Sequence, residues 1–315
     1  MNALSGISIT CFSASYAIVL ALELSRLWFR SGGFRSGVRG VLLLAFAALG
    51  LFTHTVYLVN EAAHSAASAP LSSWRDWYIV AAWVLAGVYV YLAAAHPRQS
   101  LGVFLLPLVI VLIVTAQFLA DRTPFPQSDA LRVWATVHGS ALLMGTVVVS
   151  LGFAAGVMYL VQDRRLRLKR PLSGRMRLPS LEWLDRVNGR ALVVSALLLS
   201  VGVLSGVVLN TINHRRDTDV AFPWTDPVVW TSGLLLAWLV VVSVFGAVYK
   251  PARVGRKVAY LTMGSFAFLI MVLAVLLFAP SGHGGGRGDA HSERQSSGRL
   301  GGGCSAVSSA EGIRR

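Results

Sequence analysis

Charge is scarce in this chain. Of its 315 residues only 13% are Asp, Glu, Lys or Arg, while 55% are hydrophobic and the mean hydropathy is +0.63. A water-soluble domain needs a polar coat, so these values exclude that class and point to an integral membrane protein. Cysteine is scarcer still. Cys11 lies in the first apolar run and Cys304 in the tail, with no Cys-x-x-C between them. Thiol redox work and a thiolate metal site are therefore not indicated. The alternating pattern of a membrane barrel is missing, and lipid cannot satisfy exposed backbone groups, so the apolar runs should be helices. Missing too are the repeated halves and interrupted helices common in secondary transporters. The first apolar run lacks a basic lead-in and a small-residue cleavage site, so it is expected to remain as a mature helix.

What the chain has in quantity is long apolar stretches. Crossing a ~30 Å hydrocarbon core takes about 20 residues of helix. Runs at about 4–25, 40–60, 76–95, 101–120, 134–161, 191–211, 229–249 and 257–279 meet that need, by the same measure. The expected fold is an all-α integral membrane protein with about eight transmembrane helices. Residues 1–280 read as one polytopic domain. Residues 281–315 are rich in Gly, Ser and Arg, and too poor in large apolar groups to offset ordering entropy, so a disordered tail is expected.

Basic residues outnumber acidic ones 28 to 14, a net charge of +14. Their placement argues for lipid rather than nucleic acid. They crowd at Arg26, Arg30, Arg35 and Arg39, again from Arg164 to Arg190, and again at Lys250, Arg253, Arg256 and Lys257. The positive-inside rule makes that side cytoplasmic and both termini extracytoplasmic; anionic headgroups are the expected partners there. Ser180, before Leu181-Glu182-Trp183-Leu184, reads as the N-cap of a short cytoplasmic helix within 162–190. Glu23, three residues before Arg26, reads as half of a snorkelling ion pair. Asp76 is expected to neutralise Arg75, beside the interfacial pair Trp74 and Trp77. Two helices carry glycines four apart, Gly152 with Gly156 and Gly202 with Gly206. Such faces either pack helices closely or leave a groove for a flat ligand.

The segment from Asn210 to Trp230 stands out among the connections. It gathers His214, Arg215, Arg216, Phe222, Trp224 and Trp230 on the expected extracytoplasmic side. Aromatic rings beside cations suit a flat, apolar ligand with acidic arms, and haem is such a ligand. Seven histidines occur. His54 sits inside the second apolar run, where an ionisable group is costly and thus a functional candidate. His138 begins the fifth and His283 follows the eighth, on the same side as the loop. Two neutral imidazoles can supply both axial ligands of a haem iron. His214 is a further candidate, with Arg215 and Arg216 suited to propionates. His96, His64 and His291 read as ordinary loop or tail residues.

Several segments resemble, in order, the cytochrome c assembly membrane protein family, which includes the CcsA/ResC, CcmC and HemX-like proteins. Phe52-Thr53-His54-Thr55-Val56-Tyr57-Leu58 is similar to the family's histidine-bearing helix, and Pro70-Leu71-Ser72-Ser73-Trp74 to the start of the next. Trp134-Ala135-Thr136-Val137-His138 through Gly156-Val157-Met158-Tyr159-Leu160-Val161-Gln162-Asp163-Arg164-Arg165-Leu166 is similar to the helix carrying the first external histidine. Leu184-Asp185-Arg186-Val187-Asn188-Gly189-Arg190 and Gly202-x-x-x-Gly206 resemble the lead-in to its tryptophan-rich loop. The likeness covers residues from about 40 to 283. It implies haem as cofactor, with His138 and His283 as external ligands, His54 as an intramembrane one, and Trp224 and Trp230 as the docking surface. It also implies apocytochrome c as acceptor, a ResB/CcsB-like membrane partner, and a bacterial cytoplasmic membrane location.

The loop departs from the family pattern of Trp-Gly-x-x-Trp-x-Trp-Asp followed by Pro-Lys-Glu. Here it reads Phe222-Pro223-Trp224-Thr225-Asp226-Pro227-Val228-Val229-Trp230, and the Lys-Glu pair is gone. Two functions follow from the resemblance. One is haem binding and delivery in cytochrome c maturation, as part of a haem-attachment complex. The other is a non-enzymatic HemX-like accessory or regulator of haem biosynthesis.

Overall fold

Within hydrocarbon a backbone must satisfy its own N–H and C=O groups, and a single chain segment does so by coiling into a helix. The computed structural model describes residues 9–28, 33–64, 73–97, 99–120, 132–168, 178–215, 225–248 and 255–278, and helices dominate all eight segments. In chain order they are α1 (Ile9–Trp28), α2 (Gly33–His64), α3 (Trp74–Ala95), α4 (Gly102–Phe118), α5 (Arg132–Arg167), α6 (Leu181–Arg215), α7 (Pro227–Val248) and α8 (Arg256–Phe278). There is no strand among the described residues. Each helix coincides with one of the eight expected runs. Five contain apolar stretches long enough to cross a bilayer, in α2, α3, α5, α6 and α8. The described apolar stretches of α1, α4 and α7 are shorter: Ile9–Ser25, Gly102–Phe118 and Val229–Val244.

Burial follows helical stripes. On α1 the inward residues are Ile9, Phe12, Tyr16, Val19 and Glu23; on α4 they include Leu105, Leu106, Val109, Ile113 and Ala116. Both stripes recur every three or four residues, one face of a 3.6-residue helix. The opposite faces remain apolar. Phe52, Val111, Leu197, Leu204 and Val241 are each more than half exposed. In water, so much exposed hydrocarbon would drive association; facing lipid tails it has little cost.

Two cores result. One joins α1–α4 and reaches onto α5 through Leu143, Val147, Ala154 and Met158. The other joins α5–α8 through Val149, Leu192, Leu199, Leu239, Val258 and Leu269. Helix α5 serves both and makes its most extensive contact with α6. That pair is antiparallel and in steady register. A Cβ on Gly152 would meet Ala191, one on Gly145 would meet Leu199, and one on Gly202 would meet Leu142. Absent Cβ atoms let the two backbones approach. Polar bonds link helices elsewhere: Trp83 Nε1 donates to Thr55 Oγ1 at 2.9 Å and Trp238 Nε1 to Ser265 Oγ at 3.1 Å.

Local expectations fare unevenly. Ser180 does start a helix, its Oγ accepting from Trp183 N at 3.3 Å. That helix is not separate, however, but the first turns of α6. No proline interrupts the segment from Leu181 to Arg215, and Gly189 alone does not stop a helix whose neighbours propagate it. Asp76 does not neutralise Arg75. It forms a capping box with Ser73, accepting from Ser73 N at 3.1 Å while Ser73 Oγ accepts from Asp76 N at 3.4 Å. The α3 N-terminus claims that carboxylate. Glu23 is fully buried rather than snorkelling, and accepts from Tyr89 Oη at 3.5 Å; the Arg26 side chain lies outside the described residues. At the arginine-rich end Asp163 pairs with Arg167 and Arg256, and Asp185 Oδ1 accepts from Gly255 N at 2.9 Å. Gly255 has φ +86, which only glycine adopts without cost.

Candidate functional site

His138 lies in the second turn of α5 and points at α6. Its Nδ1 is 2.7 Å from the carbonyl oxygen of Gly202. A carbonyl can only accept, so Nδ1 carries the proton and donates it. The lone pair of the neutral ring therefore sits on Nε2, the arrangement that a carbonyl accepting from the far ring nitrogen imposes on metal-binding histidines. Gly206, one turn further along α6, makes room for the ring. A Cβ there would stand 2.6 Å from His138 Cε1 and 2.8 Å from Nδ1. The Gly202/Gly206 spacing thus divides its work. Gly202 admits Leu142 as ordinary packing, whereas Gly206 seats an imidazole.

His54 is wholly enclosed within the α1–α4 half. Phe12 stacks on its face, with ring centroids 4.0 Å apart and planes 1° apart. Tyr16 Oη is 3.3 Å from Nδ1. Nε2 is buried without a hydrogen-bond partner among the described residues, although the backbone of Ile79 on α3 acts on the ring. One turn towards the end of α2, Tyr57 also contacts Phe12 and its hydroxyl accepts from Arg75 Nη2 at 2.6 Å. Arg75 also pairs with Glu61 at 3.7 Å. Helix α3 stands between the two histidines. Its Ile79 faces His54, and its Trp77 ring fills the space beside Gly139, the residue after His138.

Haem iron takes an axial ligand from the lone pair of a neutral imidazole. In His138 the Nδ1 proton is committed to Gly202 O. His54 sits inside a closed aromatic shell, with Tyr16 Oη at Nδ1 and the Ile79 backbone acting on the ring. The remaining expected residues divide by position. His214 and Arg215 occupy the last turn of α6, both exposed, with His214 Nδ1 bonded to Asn210 O at 3.0 Å. They lie roughly 12–14 Å beyond Gly206 along the axis, at 1.5 Å per residue. Trp230 lies in the first turn of α7 and is 71% exposed; the buried Asp226 accepts its backbone N–H at 3.3 Å. His138, His214, Arg215 and Trp230 thus share the end where α5 and α7 begin and α6 finishes. Arg216, Trp224 and His283 lie outside the described residues, as does the 281–315 tail.

Sequence reasoning picked out His54, His138 and the Gly202/Gly206 spacing, but missed Phe12, Tyr16 and the seat that Gly206 gives His138. The signal for the first two was available: an aromatic pair four apart on α1 belongs to one face.

The family model described as cytochrome c assembly protein matches residues 40–283. The chain is 26% identical over 270 residues to the cytochrome c biogenesis protein CcsA of Synechococcus sp. (strain CC9902), covering 78% of this chain and 83% of that protein. No solved structure matches. The matched span runs from within α2 past α8 and takes in the buried His54 and the half-buried His138. With that span and the all-helical, lipid-facing architecture together, this chain belongs to the cytochrome c assembly protein family.

Proposed function

We propose that this protein holds haem at the extracytoplasmic face of a bacterial cytoplasmic membrane and presents it to apocytochrome c. The observation that carries the reading is the His138 seat, with Nδ1–H given to Gly202 O and the ring lodged over Gly206. Family membership, which ties the chain to cytochrome c biogenesis, supports haem as the ligand. His283, beyond α8, is the proposed second external ligand and His54 an intramembrane one. Trp224 and Trp230 offer ring faces to a flat macrocycle, while Arg215 and Arg216 suit its propionates, with His214 nearby. A ResB/CcsB-like membrane protein is the proposed partner.

Bound haem would supply vinyl carbons for thioether links to the acceptor's cysteines. The chain's own residues would bind, orient and exclude water; any rate gain would come from positioning the two reactants. Purification in mild detergent tests this. A Soret band is expected in the wild type and should be lost or shifted in His138→Ala at equal expression. A protein that never copurifies with haem sinks the reading.

The second reading, a HemX-like accessory or regulator, is favoured by one specific feature. The loop lacks the family's Lys-Glu pair and part of its tryptophan set. Deleting the gene distinguishes the two. Loss of all c-type cytochromes supports haem delivery, whereas altered haem-precursor levels with cytochromes intact supports regulation.

A further inference from the structure

The family match begins at residue 40, so α1 lies wholly outside it. Yet two of the groups enclosing His54 come from α1. Phe12 and Tyr16 are both fully buried, one helical turn apart on the same stripe. Phe12 fixes the plane of the imidazole by parallel stacking at 4.0 Å, and Tyr16 sets its rotation through the 3.3 Å contact to Nδ1. The space for Tyr16 is built into α2. At Gly50, one turn before His54, a Cβ would stand 3.1 Å from Tyr16 Cε1 and 3.0 Å from Ser15 Cβ. A buried phenol hydroxyl needs a partner, and His54 is the one it meets.

The direction of that bond follows from the chemistry of the pair. A phenol is the better donor and a neutral imidazole nitrogen the better acceptor. Tyr16 Oη–H therefore donates to Nδ1, and the ring proton resides on Nε2. His138, facing a carbonyl, is held in the opposite tautomer. We infer that α1 is a positioning helix for His54: Phe12 and Tyr16 hold its ring in one orientation and in the Nε2–H tautomer. Tyr16 thereby decides which nitrogen has a lone pair to offer. The ring contact itself does not depend on haem. Its consequence rests on the haem reading: ligation through Nε2 needs the proton on Nδ1 and the Tyr16 hydroxyl turned from donor to acceptor.

Full-length protein carrying 15N-labelled histidine, in lipid bilayers, tests this by solid-state NMR, with His54 assigned from its absence in His54→Asn. A single neutral tautomer protonated at Nε2 is expected in the wild type. In Tyr16→Phe the Nδ1 resonance should move to that of a nitrogen without a hydrogen bond, with the His138 signals unchanged. A wild-type His54 protonated at Nδ1 overturns the inference, and that measurement stands even if the variant fails to fold. A His54 spectrum indifferent to Tyr16→Phe overturns it as well. For haem-loaded protein, Tyr16→Phe should raise the midpoint potential, because a ligating imidazole loses the acceptor that makes it electron-rich. If His54→Ala leaves the haem spectrum unchanged while the tautomer results hold, His54 drops out of the haem reading and the role of α1 survives.

Discussion

A hydrogen atom in place of a methyl group is all that separates a seated His138 from a displaced one. Gly206→Ala would drive a Cβ to within 2.6 Å of the imidazole. The ring cannot retreat without losing its bond to Gly202 O. Overpacking of this kind costs about 1–3 kcal/mol. The variant should therefore melt earlier in detergent and resemble His138→Ala in its haem spectrum, although the histidine is intact. A wild-type spectrum in Gly206→Ala would remove the glycine from the site. The histidines themselves were legible in the sequence, because an ionisable group in an apolar run or beside an aromatic loop stands out against its background. The glycine's role was not. A small residue gives no sign of which neighbour fills the space it leaves, and the same spacing serves Leu142 at Gly202 and an imidazole at Gly206. Arg75 misled for a related reason. Adjacency to Asp76 suggested a pair, but helix-end geometry took the carboxylate and left the guanidinium to Tyr57 and Glu61.

Among the helices, α6 shows how a glycine can matter for the opposite reason. At Gly189 a Cβ would meet nothing within 4 Å beyond its chain neighbours and its own helix backbone. Alanine there fills nothing and restricts the unfolded chain, so Gly189→Ala should stabilise by roughly 0.5–1 kcal/mol. A rise in melting temperature checks it; a fall would mean that α6 must bend at this point. All eight helices were legible because hydrophobic runs of bilayer length have few other readings. Their ends were less so. Hydropathy stops at the membrane surface, whereas α5 and α6 continue past it to Arg167 and back to Leu181. Those extra turns are held by charge and capping, through Asp163 with Arg167 and Ser180 with Trp183, which hydropathy does not register. The contribution of α1 to His54 was equally hidden, since nothing in a sequence says which distant stripe an intramembrane histidine will face.

For the whole molecule the open variable is orientation. The basic clusters predict both termini outside the cytoplasm. The two cysteines make a direct test, because Cys11 lies on α1 and Cys304 in the tail. In a Cys11→Ser background, a membrane-impermeant maleimide should label Cys304 in intact spheroplasts. Labelling only after lysis would invert the assignment and put the His138 end inside the cell. The register between α5 and α6 constrains the length of both helices. From His138 over Gly206 to Gly152 beside Ala191, the two helices match over about 21 Å at 1.5 Å per residue. One residue added to either helix within that stretch would turn everything past it by about 100° and break each match beyond. An insertion is therefore expected to be absorbed only in the loops, outside the matched stretch.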